Sequence, residues 1–194
     1  MGFEFEIKFR ATPEQQAALL KDLSGQTLQY KMQTTYYDTP DGDLSARKYT
    51  LRRRMENEKS VCTLKTPAKG LGRNEYELEC ATIEGAIPTF CELSGLPELP
   101  GLLAKGVVAT CGAAFQRTAI TVERPDCTLE IALDRGVLIG GGREKDLCEI
   151  EVELKSGTET AAKTYAKMLQ VAYGLTYEKM SKVQRARALA RGEW

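Results

Sequence analysis

The stretch CEIEVELK, residues 148–155, alternates without a break. Glu149, Glu151, Glu153 and Lys155 fall on one side of a strand, and Cys148, Ile150, Val152 and Leu154 on the other. Period-two patterning of this kind predicts a β-strand with its apolar face in a core. The polar face is the unusual one. It sets three carboxylates side by side at a spacing of about 7 Å. Like charges this close repel, and the repulsion grows once they leave water. A hard divalent cation would relieve it, and oxygen ligands without histidine or cysteine suit Mg²⁺ or Mn²⁺.

Other segments repeat the pattern with their charges sorted strand by strand. EFEIKFR (4–10) puts Glu4, Glu6, Lys8 and Arg10 opposite Phe5, Ile7 and Phe9. TLRRR (50–54) presents Arg52 and Arg54, CTLK (62–65) presents Lys65, and RNEYELE (73–79) presents Arg73, Glu75, Glu77 and Glu79. FQRTAITV (115–122) contributes Arg117, and LEIALD (129–134) contributes Glu130 and Asp134. A sheet with one wet face also alternates. Exposed strand faces, however, mix Thr, Ser, Lys and Glu, whereas here nearly every position is charged and single strands are close to one sign.

About eight or nine strands are predicted, with helices before, between and after them. Thr12, Pro13 and Gly25 bracket a first helix, TETAAKTYAKMLQVAYG (158–174) ends on Gly174, and SKVQRARALAR (181–191) forms a last, basic helix. TTYYDTPDGD (34–43) reads as a short strand and turn, VLIG (137–140) as a short separate strand, and 83–113 as helical, broken by Pro88, Pro97 and Pro100. The fold class is α+β, one domain over 1–194, with a mainly antiparallel sheet of enough strands to close a barrel. Lys8, Arg52, Arg54, Lys65 and Arg117 call for an anion of matching density, since arginine offers a planar fork to phosphate oxygens and lysine a point charge. Polyphosphate bridged by metal satisfies both charge sets at once. Such a barrel has inverted polarity, with a charged lumen and an apolar exterior under amphipathic helices.

Composition narrows the chemistry further. The 194 residues include no histidine, which excludes Ser–His and Cys–His catalysis. Lysine plus arginine equals aspartate plus glutamate at 27 each, a balance that argues against coating nucleic acid. Six cysteines without a CxxC pair read as reduced and structural, in a cytoplasmic protein. No apolar run is long enough to cross a membrane, and the charged N-terminus lacks a secretory h-region.

EFEIK resembles the ExExK signature of CYTH domains, the triphosphate tunnel metalloenzymes. The likeness continues in order through YYDTPDGDL, TLRRR, CTLK, RNEYELE, AFQR, LEIALDRG, CEIEVELKSG and YEKMSKVQRARAL. It implies an eight-stranded antiparallel β-barrel, flanked by helices, whose charged lumen binds a small-molecule triphosphate with Mg²⁺ or Mn²⁺. Carried over, Glu4, Glu6 and Glu153 hold the principal metal, and Asp134, Glu149 and Glu151 complete the acidic patch, position water or hold a second ion. Lys8, Arg52, Arg54, Lys65, Arg117, Lys182 and Lys179 bind phosphates. Arg73, Glu75 and Glu130 belong to the tunnel wall, as supporting ion pairs or as direct contacts. The implied reaction is metal-assisted hydrolysis, with Glu151 or Glu149 taking the proton of the attacking water and Lys8 supporting the leaving group.

Within the family the motifs resemble bacterial inorganic triphosphatases most closely, which implies cleavage of tripolyphosphate to pyrophosphate and phosphate. The chain ends at Trp194, so an added helical CHAD domain is not expected. Thiamine triphosphatase is the nearest rival; its stacking tryptophan has no counterpart but Trp194, read as a chain end, with Tyr36, Tyr37 and Tyr49 as substitutes. Class IV adenylate cyclase, RNA 5′-triphosphatase and a non-catalytic polyphosphate or nucleotide binder are the remaining readings.

Overall fold

Ten strands join in one antiparallel sheet in the computed structural model, which describes residues 2–68, 70 and 72–193. In chain order they are β1 (Gly2–Glu4), β2 (Glu6–Arg10), β3 (Thr27–Asp38), β4 (Thr50–Glu56), β5 (Lys59–Pro67), β6 (Arg73–Glu79), β7 (Val108–Arg124), β8 (Cys127–Gly140), β9 (Arg143–Gly157) and β10 (Thr176–Tyr177). Their order across the sheet is β1-β6-β5-β4-β3-β7-β8-β9-β2-β10. β1 and β2 lie near opposite ends of that order, yet only Phe5 separates them in the chain. Glu4 pairs with Arg73 of β6, and Glu6 with Glu153 of β9. The Phe5 carbonyl still accepts the Leu154 N–H at 2.9 Å. One bent strand therefore seals the two edges, and the expected eight-stranded barrel is present, with β10 a two-residue addition beside Phe9 and Arg10.

Strand lengths depart from the sequence reading. VLIG is no separate strand: β8 runs on through it, because the ladder with β7 is unbroken from Arg124↔Cys127 to Cys111↔Gly140. The same pairing draws 108–113 into β7 rather than into helix. β3 begins at Thr27, well before the expected start, since its N-terminal half pairs with β7.

Among the described residues, six helices pack with the sheet. α1 (Pro13–Asp22) opens with a capping box between Thr12 and Gln15. α2 (Asp43–Ala46) is a single turn inside TTYYDTPDGD, held by the Asp38 carboxylate, which accepts the N–H groups of Thr39, Leu44 and Ser45. α3 (Ile83–Ser94) runs through Pro88, which does not break it; Ile83, Ala86 and Phe90 are buried against the sheet. α4 (Leu99–Leu103), α5 (Glu159–Tyr173) and α6 (Lys182–Arg191) complete the set. α5 stops at Gly174, whose φ of +62° suits a helix C-terminus.

Two of the three apolar clusters lie outside the barrel, and the third lies on its inner face under α6. Phe5, Phe9, Leu129, Ile131, Ile150 and Val152 point outward into a cluster with Leu19 of α1 and Ala162, Tyr165 and Leu169 of α5. Across the barrel, Leu51, Cys62, Leu64 and Tyr76 meet Ile83 and Phe90 of α3 and Leu99 of α4. A third cluster seats Ala186 and Leu189 of α6 on Met32, Phe115, Leu138 and Leu147. The approach of α6 is close: a Cβ on Gly140 would lie 2.3 Å from the Ala186 carbonyl oxygen and 2.8 Å from the Ala190 nitrogen. Gly140→Ala is therefore expected to cost on the order of 1–3 kcal/mol by overpacking, read as a lower urea midpoint; an unchanged midpoint would show that α6 does not sit this tightly.

Candidate active site

The barrel encloses a cavity of about 700 Å³. Alternation on each strand delivers its lining: Glu4 from β1, Glu6 and Lys8 from β2, Arg52 and Arg54 from β4, Lys65 from β5, Arg73, Glu75 and Glu77 from β6, Arg117 from β7, Glu130 from β8, and Glu151, Glu153 and Lys155 from β9. Lys179, Lys182 and Arg187 reach in from the last helix and its approach. Fourteen of the sixteen site residues expected from the sequence thus face one space. Asp134 and Glu149 do not line it; both are fully buried on the inner face of the sheet, under Lys182 and Arg185 of α6.

Those two buried carboxylates belong to a compact ionic knot with Glu151. Among the described residues, these three alone bring a set of carboxylate oxygens within 4.8 Å of one another. Arg117 donates from Nε and Nη2 to the two oxygens of Asp134, both at 2.7 Å, and also to Glu151. Lys182 Nζ reaches Asp134 at 2.8 Å, Glu151 at 2.7 Å and Glu149. Arg185 takes the other Glu149 oxygen. From α1, Gln16 Nε2 donates to the Asp134 and Glu149 carbonyls at 3.0 and 2.9 Å, fixing the two strands beneath the knot. Three carboxylates are matched by three cations, which is what burial of this much charge requires.

Protonation follows from position. Burial pushes the Glu149 carboxyl up to about 7, with Lys182 opposing and Glu151 adding to the rise. Burial also works against Glu151, but Lys182 and Arg117 overrule it and hold that carboxyl well below the usual range. Burial would lower Lys182, and Asp134, Glu149 and Glu151 more than offset it.

Elsewhere on the wall, most lining carboxylates lean on a lysine. Glu4 pairs with Lys65, Glu6 with Lys8 at 2.9 Å, and Glu153 with Lys155 at 2.8 Å. Glu75 lies 3.2 Å from Lys65 and 3.6 Å from Arg52. Glu153 is raised by burial and by Glu130 and Glu4, while Lys155 opposes this. Glu4, Glu6 and Glu153 face the cavity as hard oxygen donors of the kind a divalent cation takes, with no competing sulfur or imidazole, and each is held by one lysine where each carboxylate of the knot is held by two cations. Arg73 donates to the Lys48 and Lys65 carbonyls at 2.6 and 3.1 Å and so braces the wall. Arg10, mostly exposed, pairs with Glu178 at 3.6 Å outside the lumen.

Arg185 and Arg187 were not singled out from the sequence. A signal was present, since Arg185 stands three residues from Lys182 on a helix face shared with Ala188 and Leu189, an odd place for an unpartnered charge. Arg187 is held by Asp38 at 3.1 Å, so the turn that carries α2 also aims a lumen cation. Of the tyrosines considered as a stacking platform, Tyr37 packs in an outer core, Tyr36 is 4 % exposed, and Tyr49 is 9 % exposed with its hydroxyl donating to Glu98 at 2.6 Å. Trp194 lies outside the described residues.

A family model described as CYTH domain matches residues 2–186. The chain is 33 % identical over 190 residues to the inorganic triphosphatase of Haemophilus influenzae, an alignment covering 94 % of this chain and 53 % of that protein; the chain spans about half the length of that curated relative. Among solved structures, a Pyrococcus horikoshii protein aligns with a TM-score of 0.65 at 20 % identity, over 94 % of this chain and 97 % of that one. A Hippeastrum protein, described as an adenylyl cyclase with a dominant triphosphatase activity, aligns with a TM-score of 0.66 at 20 % identity, over 99 % and 96 % of the two chains. Both share the fold.

Two expectations test the knot. Lys182→Met leaves buried carboxylates uncompensated and is expected to destabilise the metal-free protein by about 3–5 kcal/mol in urea unfolding. A carboxyl raised on folding stabilises the protein below its unfolded value and loses that contribution as pH rises through its folded value. Glu149 should therefore weaken the metal-free protein between about pH 4.5 and 7, by on the order of 1–3 kcal/mol. Glu151, depressed on folding, does not oppose this, because its contribution is lost only below that window. Urea midpoints across the window should fall in the wild type and stay flatter in Glu149→Gln.

Proposed function

This chain belongs to the CYTH domain family, and on that footing we propose that it is a divalent-metal-dependent triphosphatase whose substrate is inorganic tripolyphosphate, cleaved to pyrophosphate and phosphate. One observation carries the reading. Among the described residues, the cavity wall holds eleven lysine and arginine side chains against eight carboxylates. A lumen with surplus positive charge and an acidic sector fits a polyanion that arrives with a cation.

In this reading Lys65, Arg52, Arg54, Arg117 and Lys182 hold the phosphate chain along the barrel. Glu4, Glu6 and Glu153 hold Mg²⁺ or Mn²⁺, which when bound polarises phosphate oxygens and neutralises charge at the bond that breaks. Lys8 keeps its proton, because Glu6 and Glu151 outweigh the lowering effect of burial, and so it offers a fixed positive charge to the leaving group. Glu151 orients the attacking water as an ionised carboxylate; with its pKa held low it is a poor proton acceptor, and a loose phosphoryl-transfer transition state asks little of a base. Glu149, sealed under α6, positions Lys182 and does not meet the water. Six cysteines without a pairing pattern support a cytoplasmic setting. No helix among the described residues is long and apolar enough to cross a membrane.

The test is phosphate and cyclic AMP release from tripolyphosphate, thiamine triphosphate and ATP, each with Mg²⁺ or Mn²⁺. Tripolyphosphate should be turned over fastest. Tight binding without turnover would support a polyphosphate binder instead. Glu153→Gln is expected to lower metal-dependent turnover by at least 100-fold while leaving metal-free stability equal or higher; a large loss of stability would contradict the crowding of carboxylates around Glu153.

A further inference from the structure

Tyr36 stands across the β3–β4 ladder from Arg52 and faces the cavity. It is 4 % exposed, and its hydroxyl has no hydrogen-bond partner among the described residues. Its charged surroundings are cationic: Arg52, Lys182 and Arg54 all act on the phenol electrostatically, and none of them can accept a hydrogen bond. Burial raises the phenol pKa, so the proton stays on and the group remains a donor.

Arg52 adds a buried donor: its Nε–H has no acceptor among the described residues, where its only ion pair, to Glu75 at 3.6 Å, runs through Nη2. A buried donor without an acceptor costs about 1–3 kcal/mol; the Arg52 Nε–H is such a donor, and the Tyr36 side chain beside it on the adjacent strand faces the cavity with a second donor that no described residue accepts. The ladder beside them is irregular: the β3–β7 register shifts between Tyr36 and Tyr37, and Thr110, left without a ladder partner, donates its hydroxyl to the Tyr36 carbonyl at 3.1 Å. β-Bulges of this kind re-aim a side chain next to a site.

We propose that the Tyr36 hydroxyl and the Arg52 Nε–H form a two-donor subsite for one phosphoryl group of the substrate chain, making Tyr36 a substrate-binding residue of the tunnel. The acceptor must present oxygens of high charge density to a neutral and a cationic donor together, which a non-bridging phosphate oxygen does. The inference rests on the polyphosphate reading of the cavity and adds to it a residue outside the lysine–arginine set.

The test is calorimetric titration of tripolyphosphate into metal-free protein in the presence of a chelator, with urea unfolding of each variant measured without ligand. Tyr36→Phe should weaken binding about tenfold, or about 1.4 kcal/mol, with an unliganded midpoint equal to or above that of the wild type. Arg52→Lys keeps the charge but removes the Nε–H, and should also weaken binding. Because both donors serve one group, the double variant should lose little more than the weaker-binding single variant. Wild-type affinity in Tyr36→Phe overturns the subsite while leaving the polyphosphate reading in place, and so do fully independent losses at the two positions. A wild-type protein that binds no tripolyphosphate overturns both.

Discussion

Lys182 touches Asp134, Glu149 and Glu151 at once, from a helix that closes against the inner face of β7 and β8. Three carboxylates on adjacent strands could not share a buried corner without that ammonium and the Arg117 and Arg185 guanidiniums around it, because desolvation of unpaired charge exceeds any gain from packing. The contact therefore does two things. It makes the inward face of β9 compatible with a folded barrel, and it ties the position of α6 to the charge state of the wall. Gln16 extends the same bond network to α1 through the strand carbonyls, so the knot is supported from both sides of the sheet.

The rest of the architecture follows from placing charge inside. A lumen filled with lysine, arginine and glutamate contributes little hydrophobic driving force outside the patch under α6, so the strands must bury their other faces. α1 and α5 cover one flank and α3 and α4 the other, each over its own apolar cluster. The cavity keeps its shape because its side chains hold one another in pairs: Glu4 with Lys65, Glu6 with Lys8, Glu153 with Lys155. On the proposed reading each pair is also exchangeable, a metal taking the lysine's place at a carboxylate and a phosphate taking the carboxylate's place at a lysine. A lumen paired in this way holds its side chains in position before any ligand arrives.

Much of this was legible from alternation. The inward phase of Glu4, Glu6, Lys8, Arg52, Arg54, Lys65 and the residues of β9 could be read because a strand has only two faces and the other was apolar. Helix ends were legible where Thr12, Ser181 and Gly174 mark them. What alternation could not give was depth. Glu149 and Glu153 are equivalent in the sequence, yet one is sealed under α6 and the other faces the cavity, and the difference depends on where α6 lands. Arg185 and Arg187 were missed because helical cations normally face water. The span of β7 and the run of β8 through VLIG were set by pairing between distant segments, which no local propensity records.

Barrel closure by the bent strand at Phe5 also has a kinetic side. Residues 6–10 find their β9 partners at residues 149–153, so the bent strand pairs across most of the chain before its second edge is satisfied. Contacts of such long range are slow to form. Until they do, the growing chain holds a charged, incompletely paired ribbon whose glutamates lack Lys182. The helix that carries Lys182 completes the charge balance of a barrel that the bent strand closes.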